Sequence, residues 1–190
     1  SLSAFMQCPD ISGIVVVVSR ERAESVLGMV QMLGFSKVKK IVVGGARRAA
    51  AMAAGLEHVD EDVNFVCVHD ASRPLLSAAL ISETVKCAGR HGSGVAAVEI
   101  SDPVVGAKKG IIESRKDADD RLWMAVSPQT YSREALVKAY PKSAKNRENH
   151  EDDLAAMMAM GVEARLVPTA EISFRIRSAE DLAPALALMK

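Results

Sequence analysis

The sequence is short of most features that mark a membrane, nucleic-acid or disulfide-built protein. Aromatic residues are only 4% of its 190 positions, with one Trp, two Tyr and four Phe. The core must therefore come from Val, Ile, Leu, Ala and Met within a hydrophobic share of 49%. Neither sign of charge dominates, since Lys and Arg total 24 and so do Asp and Glu. Without a long-range field, neither nucleic acid nor an anionic membrane surface is expected as a partner. The apolar runs fall far short of the about 20 residues that cross a bilayer. Cys8, Cys67 and Cys87 are odd in number and lack metal-type spacing. They read as reduced thiols of a cytoplasmic compartment, and a plastid protein freed of its transit peptide would read the same way. His58, His69, His91 and His150 show no paired spacing for zinc. There is no internal repeat and no low-complexity tract.

What is present is an alternation of apolar runs and helical periods. Leu2–Met6 reads as the last turn of a helix, and Ile14–Val18 as a β-branched strand buried on both faces. Residues 20–34 carry Ala23, Val26, Leu27, Val30 and Leu33 at helical spacing. A strand at Ile41–Val43 ends at Gly44-Gly45, and an Ala-rich helix over 47–59 packs through Ala51, Ala54 and Leu56. A strand over 64–69, a helix over 77–89 and a strand over 94–100 follow. This βαβαβαβ order calls for one α/β domain over 1–190, a mostly parallel twisted sheet with helices on both faces, Rossmann-like in class.

Residues 101–121 break that rhythm. Val104-Val105 and Ile111-Ile112 flank a turn at Lys108-Lys109-Gly110, and the charged run 115–121 comes next. This reads as a β-arm projecting from the sheet, whose apolar residues need a partner surface, as in a symmetric homodimer; a floppy hairpin insert is the alternative. Strand returns at Leu122–Val126 and is expected to stop at Ser127-Pro128-Gln129. Ser132 caps a helix to about Tyr140, and the polar stretch 141–150 is expected to be mobile. Glu151-Asp152-Asp153 opens a helix to Met160 with acids at its positive end, and Gly161 stops it. Strands are expected over 162–167 and 172–177. A Ser178–Asp181 capping box opens a closing helix over 179–189.

The stretch most suggestive of chemistry is Val66-Cys67-Val68-His69-Asp70-Ala71-Ser72-Arg73-Pro74. An apolar strand stops at an Asp, with Arg and Pro three and four residues on. Ligands of open α/β sheets sit at the carboxyl ends of strands. On that rim a carboxylate can hold a metal and a guanidinium a phosphate. A structural Asp–Arg pair in a tight turn remains open as the alternative.

Taken with its neighbours, this stretch resembles the 2-C-methyl-D-erythritol 4-phosphate cytidylyltransferase family. Gly44-Gly45-Ala46-Arg47-Arg48 with Gly55-Leu56 is similar to that family's G-G-x-x-R…G-L. Val68 to Pro74 resembles its V-H-D-A-x-R-P, and Leu122-Trp123 with Ser127-Pro128-Gln129 its L-W…T-P-Q. Arg175-Ile176 with Glu180-Asp181-Leu182 resembles its K-[IV]-T…E-D-L. The four landmarks occur in order along essentially the whole chain. The resemblance implies transfer of a cytidylyl group from CTP to a polyol phosphate with Mg²⁺, by homodimers whose arms complete each other's sites. It further implies that Asp70 lies beside the metal and the attacking phosphate, and that Arg73 pairs with phosphate oxygens. Arg175, where the family has Lys, would sit near the transferring phosphoryl group. Gly44, Gly45 and Arg48 would meet the nucleotide, and Ser127, Asp152 and Arg121 the acceptor substrate.

Departures from the pattern define the alternatives. The family's Gly-rich triphosphate loop falls before the position of Ser1, and nothing in 1–190 replaces it. Ala46 and Ala51 stand where polar residues meet the nucleotide. Asp102-Pro103-Val104-Val105 replaces D-T-x-K, Asp119 falls on an Arg position, and Glu151 replaces a Thr. The added carboxylate opposes phosphate binding by the same Coulomb interaction that Arg73 supplies. A non-catalytic dimeric homologue therefore stands beside the enzyme as a reading. So does a cytidylyltransferase for another polyol phosphate, such as ribitol 5-phosphate.

Overall fold

A computed structural model describes residues 1–116, 121–141, 150, 152–171 and 173–188. Helix α1 (Leu2–Gln7) leads into β1 (Ile14–Val18), which pairs in parallel with β2 (Val38–Val43). Helix α2 (Ala23–Met32), opened by a 3₁₀ turn at Arg20–Arg22, connects them. Helix α3 (Arg48–Leu56) follows β2 and packs against both strands. A second sheet holds β3 (Phe65–Val68), β4 (Ser93–Glu99), β7 (Trp123–Ser132) and β8 (Leu166–Pro168) in the order β3-β7-β4-β8. Strand β7 is antiparallel to β3 and β4, and β8 is parallel to β4. Three strands of that sheet thus point one way and β7 runs against them, so the mostly parallel α/β class stands.

Helix α4 (Ala78–His91) crosses from β3 to β4. Ser77 Oγ accepts the Leu80 N–H at its start, and Gly92 ends it at φ +86°. Helices α5 (Arg133–Ala139) and α6 (Asp153–Ala159) carry side-chain caps from Ser132 and Asp152, and α7 (Leu182–Leu188) closes the described chain. The expected Ser178–Asp181 capping box is present, although it opens a 3₁₀ turn before α7. The largest core cluster joins Ala53 and Leu56 of α3 to Val95, Tyr131, Leu136, Ala139, Tyr140, Ala156 and Met157. A smaller one docks Ala4, Phe5 and Cys8 against Ile81.

Several expectations need correction. Strand β1 is half-buried, not buried on both faces, because among the described residues it pairs with β2 alone. Of the apolar stripe on α2 only Val30 is buried, while Leu27 and Leu33 are exposed. Helix α3 buries Ala53, Gly55 and Leu56, leaving Ala51 and Ala54 only half-buried. Strand β7 continues through Pro128 to Ser132. The ladder slips opposite Ala96, between Val95 and Ala97, and that irregularity accommodates a residue with no N–H. Strand β8 is confined to Leu166–Pro168, and residues 173–177 form no strand. Asp119, Glu151, Ile172, Met189 and most of the stretch expected to be mobile (142–149) lie outside the described residues.

The arm forms as expected from β5 (Val105–Lys108) and β6 (Ile111–Arg115), paired antiparallel. Lys109 (φ +51°) and Gly110 (φ +81°) make its two-residue turn, the left-handed geometry that suits the twist of a tight hairpin. Every residue of both arm strands is exposed. Among the described residues no helix is long and apolar enough to cross a membrane.

Candidate active site

The loop leaving β3 is bound to the turn in β7. Val68 pairs with Gln129, and two residues further on the Asp70 N–H donates to Ser127 Oγ at 3.2 Å. His69 lies between them, with Nε2 3.0 Å from the Arg73 carbonyl and Nδ1 3.1 Å from Ser127 Oγ. A carbonyl only accepts, so Nε2 carries the proton, Nδ1 is the acceptor, and the Ser127 hydroxyl donates to it. Burial holds His69 neutral, lowering its pKa from 6.5 to about 4 against the smaller opposing pull of the Arg73 carbonyl.

The carboxylate of Asp70 is fixed on both oxygens. Oδ1 accepts the Ser72 N–H at 3.0 Å and the Ser72 hydroxyl at 2.8 Å. Oδ2 lies 3.0 Å from Arg175 Nη2, and Arg175 Nε donates to Ser72 Oγ at 3.2 Å. Burial pushes the Asp70 pKa up, but the two Ser72 hydrogen bonds and the charges of Arg175 and Arg48 outweigh it. The net shift is downward, so Asp70 is a carboxylate at neutral pH. Arg73 Nη1 donates to the Ser173 carbonyl at 2.6 Å and to its hydroxyl at 2.9 Å. Residues 173–177 thus lie as a strap across the Asp70 loop, closed by Ile176 N–H on the Ser72 carbonyl at 2.8 Å. Asp70, Arg73, Arg175 and Ser127, picked out in the sequence, come together in this one cluster.

The other candidates sit elsewhere. Arg48 is held through Nε and Nη2 by Asp153, which is buried and also accepts the Tyr140 hydroxyl at 2.7 Å. Asp70 is close enough to act on the Arg48 charge, so the loops after β2 and β3 are neighbours. Gly44 and Gly45 lie where β2 turns into α3. A Cβ on Gly44 would stand 2.5 Å from Val17 Cγ1, and one on Gly45 would stand 2.6 Å from Ala50 Cβ. Close packing therefore requires both glycines whatever approaches them. Asp152 caps α6 through the Ala155 N–H at 2.8 Å, and Arg121 is exposed just ahead of β7. Sequence reasoning missed His69, Ser72, Ser173 and Asp153 as parts of this architecture. The first two lay inside the stretch singled out, so their position was the only available signal.

The comparisons decide the family. A family model described as IspD, 2-C-methyl-D-erythritol 4-phosphate cytidylyltransferase, matches residues 1–190. The chain belongs to this family. Its members are nucleotidyltransferases of isoprenoid biosynthesis that transfer a cytidylyl group to the substrate of that name. The chain is 31% identical over 193 residues to the 2-C-methyl-D-erythritol 4-phosphate cytidylyltransferase of Desulforamulus reducens, covering 100% of this chain and 82% of that protein. It is 32% identical over 182 residues to a bifunctional IspD/IspF enzyme of Desulfotalea psychrophila. That match covers 96% of this chain and 46% of the bifunctional protein, so the chain spans about half of it. Among solved structures, the 4-diphosphocytidyl-2C-methyl-D-erythritol synthase of Anaerococcus prevotii superimposes with a TM-score of 0.86 at 18% identity. It covers 99% of this chain and 86% of the other, and bears on the fold alone.

Proposed function

We propose that the protein joins CTP to 2-C-methyl-D-erythritol 4-phosphate and releases pyrophosphate, working in the cytoplasm as a homodimer. The supporting observation is the gathering of the Asp70 carboxylate with the guanidinium groups of Arg175, which it contacts, and Arg73, whose charge it feels, at the carboxyl end of β3. In this reaction an oxygen of the acceptor phosphate attacks the α-phosphorus of CTP. A P–O bond forms as the bond to the β-phosphate oxygen breaks, and that electron pair leaves with pyrophosphate. The nucleophile is already anionic, so the protein mainly has to align two anions and offset their charge.

Each residue has a part in that scheme. Arg73 and Arg175 supply cations to phosphate oxygens, Arg175 with a planar fork where the family has an ammonium. Ser127 and His69 hold the Asp70 backbone. Gly44 and Gly45 bring the chain close to the base, with Arg48 fixing the start of α3 beside them. Asp152 and Arg121 are assigned to the acceptor substrate.

Among the described residues no three metal-ligating side chains gather. One carboxylate completed by substrate phosphates and water is nevertheless a usual set for Mg²⁺, and Asp70 Oδ2, which meets Arg175 alone, retains an unused lone pair. Bound at Asp70, Mg²⁺ would neutralise charge on the departing pyrophosphate.

The dimer reading rests on the arm, where Ile111 and Ile112 are 68% and 65% exposed. Deleting residues 104–112 is expected to leave a monomer by light scattering, and an unchanged mass would refute the arm's role.

The deciding experiment measures pyrophosphate release from CTP with Mg²⁺ and either 2-C-methyl-D-erythritol 4-phosphate or ribitol 5-phosphate. Release with the first alone is expected, and it should vanish in Asp70→Asn and Arg73→Ala. Release with neither, together with no CTP binding by calorimetry, would favour a non-catalytic homologue.

A further inference from the structure

We propose that Ser72 is a positioning residue that orients Arg175 toward the reacting phosphate, and that its hydroxyl is what makes an arginine the fitting cation at that position. Four distances define the arrangement. Ser72 Oγ donates to Asp70 Oδ1 at 2.8 Å and accepts from Arg175 Nε at 3.2 Å, while Arg175 Nη2 reaches Asp70 Oδ2 at 3.0 Å. The Ser72 N–H adds a second contact to Oδ1 at 3.0 Å. The guanidinium is thus read by two acceptors in two directions, and this fixes its plane as well as its place. A single contact would leave it free to rotate about the Asp70 oxygen, because Arg175 is half-exposed and long side chains at a surface keep much of their rotamer freedom. A lysine ammonium, a point donor on a flexible stem, would satisfy Asp70 or Ser72 but would have no plane to fix.

The turn itself does not depend on the hydroxyl. The Ser72 N–H still holds Asp70, and the Ser72 carbonyl still accepts the Ile176 N–H at 2.8 Å. Removing Oγ therefore releases Arg175 while leaving the loop backbone tied at both ends. The effect acts through Arg175 rather than on substrate, and the catalytic part of the inference rests on the proposed role of Asp70 and Arg175 in cytidylyl transfer.

The test uses the full-length protein and four variants, Ser72→Ala, Ser72→Thr, Arg175→Lys and the double Ser72→Ala/Arg175→Lys. Ser72→Ala is expected to lower kcat about 10-fold with the KM for CTP within about 2-fold, as loss of one charge-assisted hydrogen bond predicts. Ser72→Thr restores the rate, because it returns the hydroxyl. The double variant is no slower than Arg175→Lys alone, because an ammonium has no plane for the serine to fix; independent losses that multiply would overturn the proposal. A second readout needs no turnover. The Arg175 Nε–H resonance is expected to exchange slowly with water in the parent and in Ser72→Thr, and fast in Ser72→Ala. Equal exchange in parent and Ser72→Ala overturns the positioning role. A parent that releases no pyrophosphate overturns the cytidylyltransferase reading, and the exchange rates then judge Ser72 separately.

Discussion

The Ser127 hydroxyl donates to His69 Nδ1 across 3.1 Å, while its oxygen accepts the Asp70 N–H across 3.2 Å. With His69 Nε2 on the Arg73 carbonyl, the result is a chain of three hydrogen bonds from the β7 turn to both ends of the Asp70–Arg73 loop. A hydroxyl whose one proton is committed to an imidazole cannot also donate it to a phosphate. Ser127 therefore acts by holding Asp70 in place.

Residues joined in this way respond as a unit. Ser127→Ala and His69→Asn are each expected to lower kcat about 10-fold, and the double variant is expected to be little slower than either. Their coupling energy in a double-mutant cycle should be about 1 kcal/mol or more, since the two share one hydrogen bond. Strict additivity in measured kcat would show that the chain does not operate.

His69 also sets a direction for pH dependence. Its pKa falls from 6.5 to about 4 on folding, so between those values the unfolded chain binds more protons than the folded one. Stability then rises with pH across this window and is lost as pH drops from 6.5 toward 4. Asp70, whose pKa is also lowered, adds a loss in the same direction at still lower pH. Urea melts of the parent between pH 4 and 7 should show the slope, and His69→Asn should flatten it. An identical slope in both proteins would assign the dependence to other groups.

Asp153 joins Arg48 at the start of α3 to the Tyr140 hydroxyl after α5. Asp153→Ala leaves a buried phenol without its acceptor and a guanidinium that is 42% exposed and can turn to water, a loss of about 1–2 kcal/mol. Chemical denaturation should reveal a shift of that order. Loss of CTP affinity should accompany it, because Arg48 opens the helix behind the two glycines.

Gly44→Ala tests the packing role of that turn. The new methyl would press on Val17 Cγ1 at 2.5 Å and on Ala51 Cβ at 3.1 Å. A cost of about 1–3 kcal/mol is expected for such overpacking. Thermal denaturation of the nucleotide-free protein isolates this effect. An unchanged melting temperature would leave approach to a ligand as the reason for glycine.

Much of this was legible in the sequence because it is written locally. The β-branched run of β1, the Ser132 cap, the arm with its tight turn and the Asp70–Arg73 stretch all depend on near neighbours. What escaped depends on pairing between distant segments. The antiparallel run of β7 beside β3 puts Ser127 on His69, and no local pattern encodes that partner. Pro128 looked like a strand end because the ladder slip opposite it is a property of β4 as much as of β7. Residues 173–177 looked like a strand from their alternation, yet their polar groups go to the Asp70 loop instead of a neighbouring ladder. Asp153 read as one more acid at a helix start, since only tertiary packing buries it.

The strap over the Asp70 loop also bears on the order of events during synthesis. Domains fold as units while the chain emerges from its N-terminal end. The partners of Arg73 and Ser72 lie 100 and 103 residues downstream of them. A nascent chain that has not yet emitted residue 173 holds every strand of its sheets and helices α1 to α6, but it has neither the Ser173 acceptors nor the Arg175 guanidinium. The rim of charge is therefore assembled late, only just ahead of α7, and a chain stalled before that point would hold the sheet without being armed.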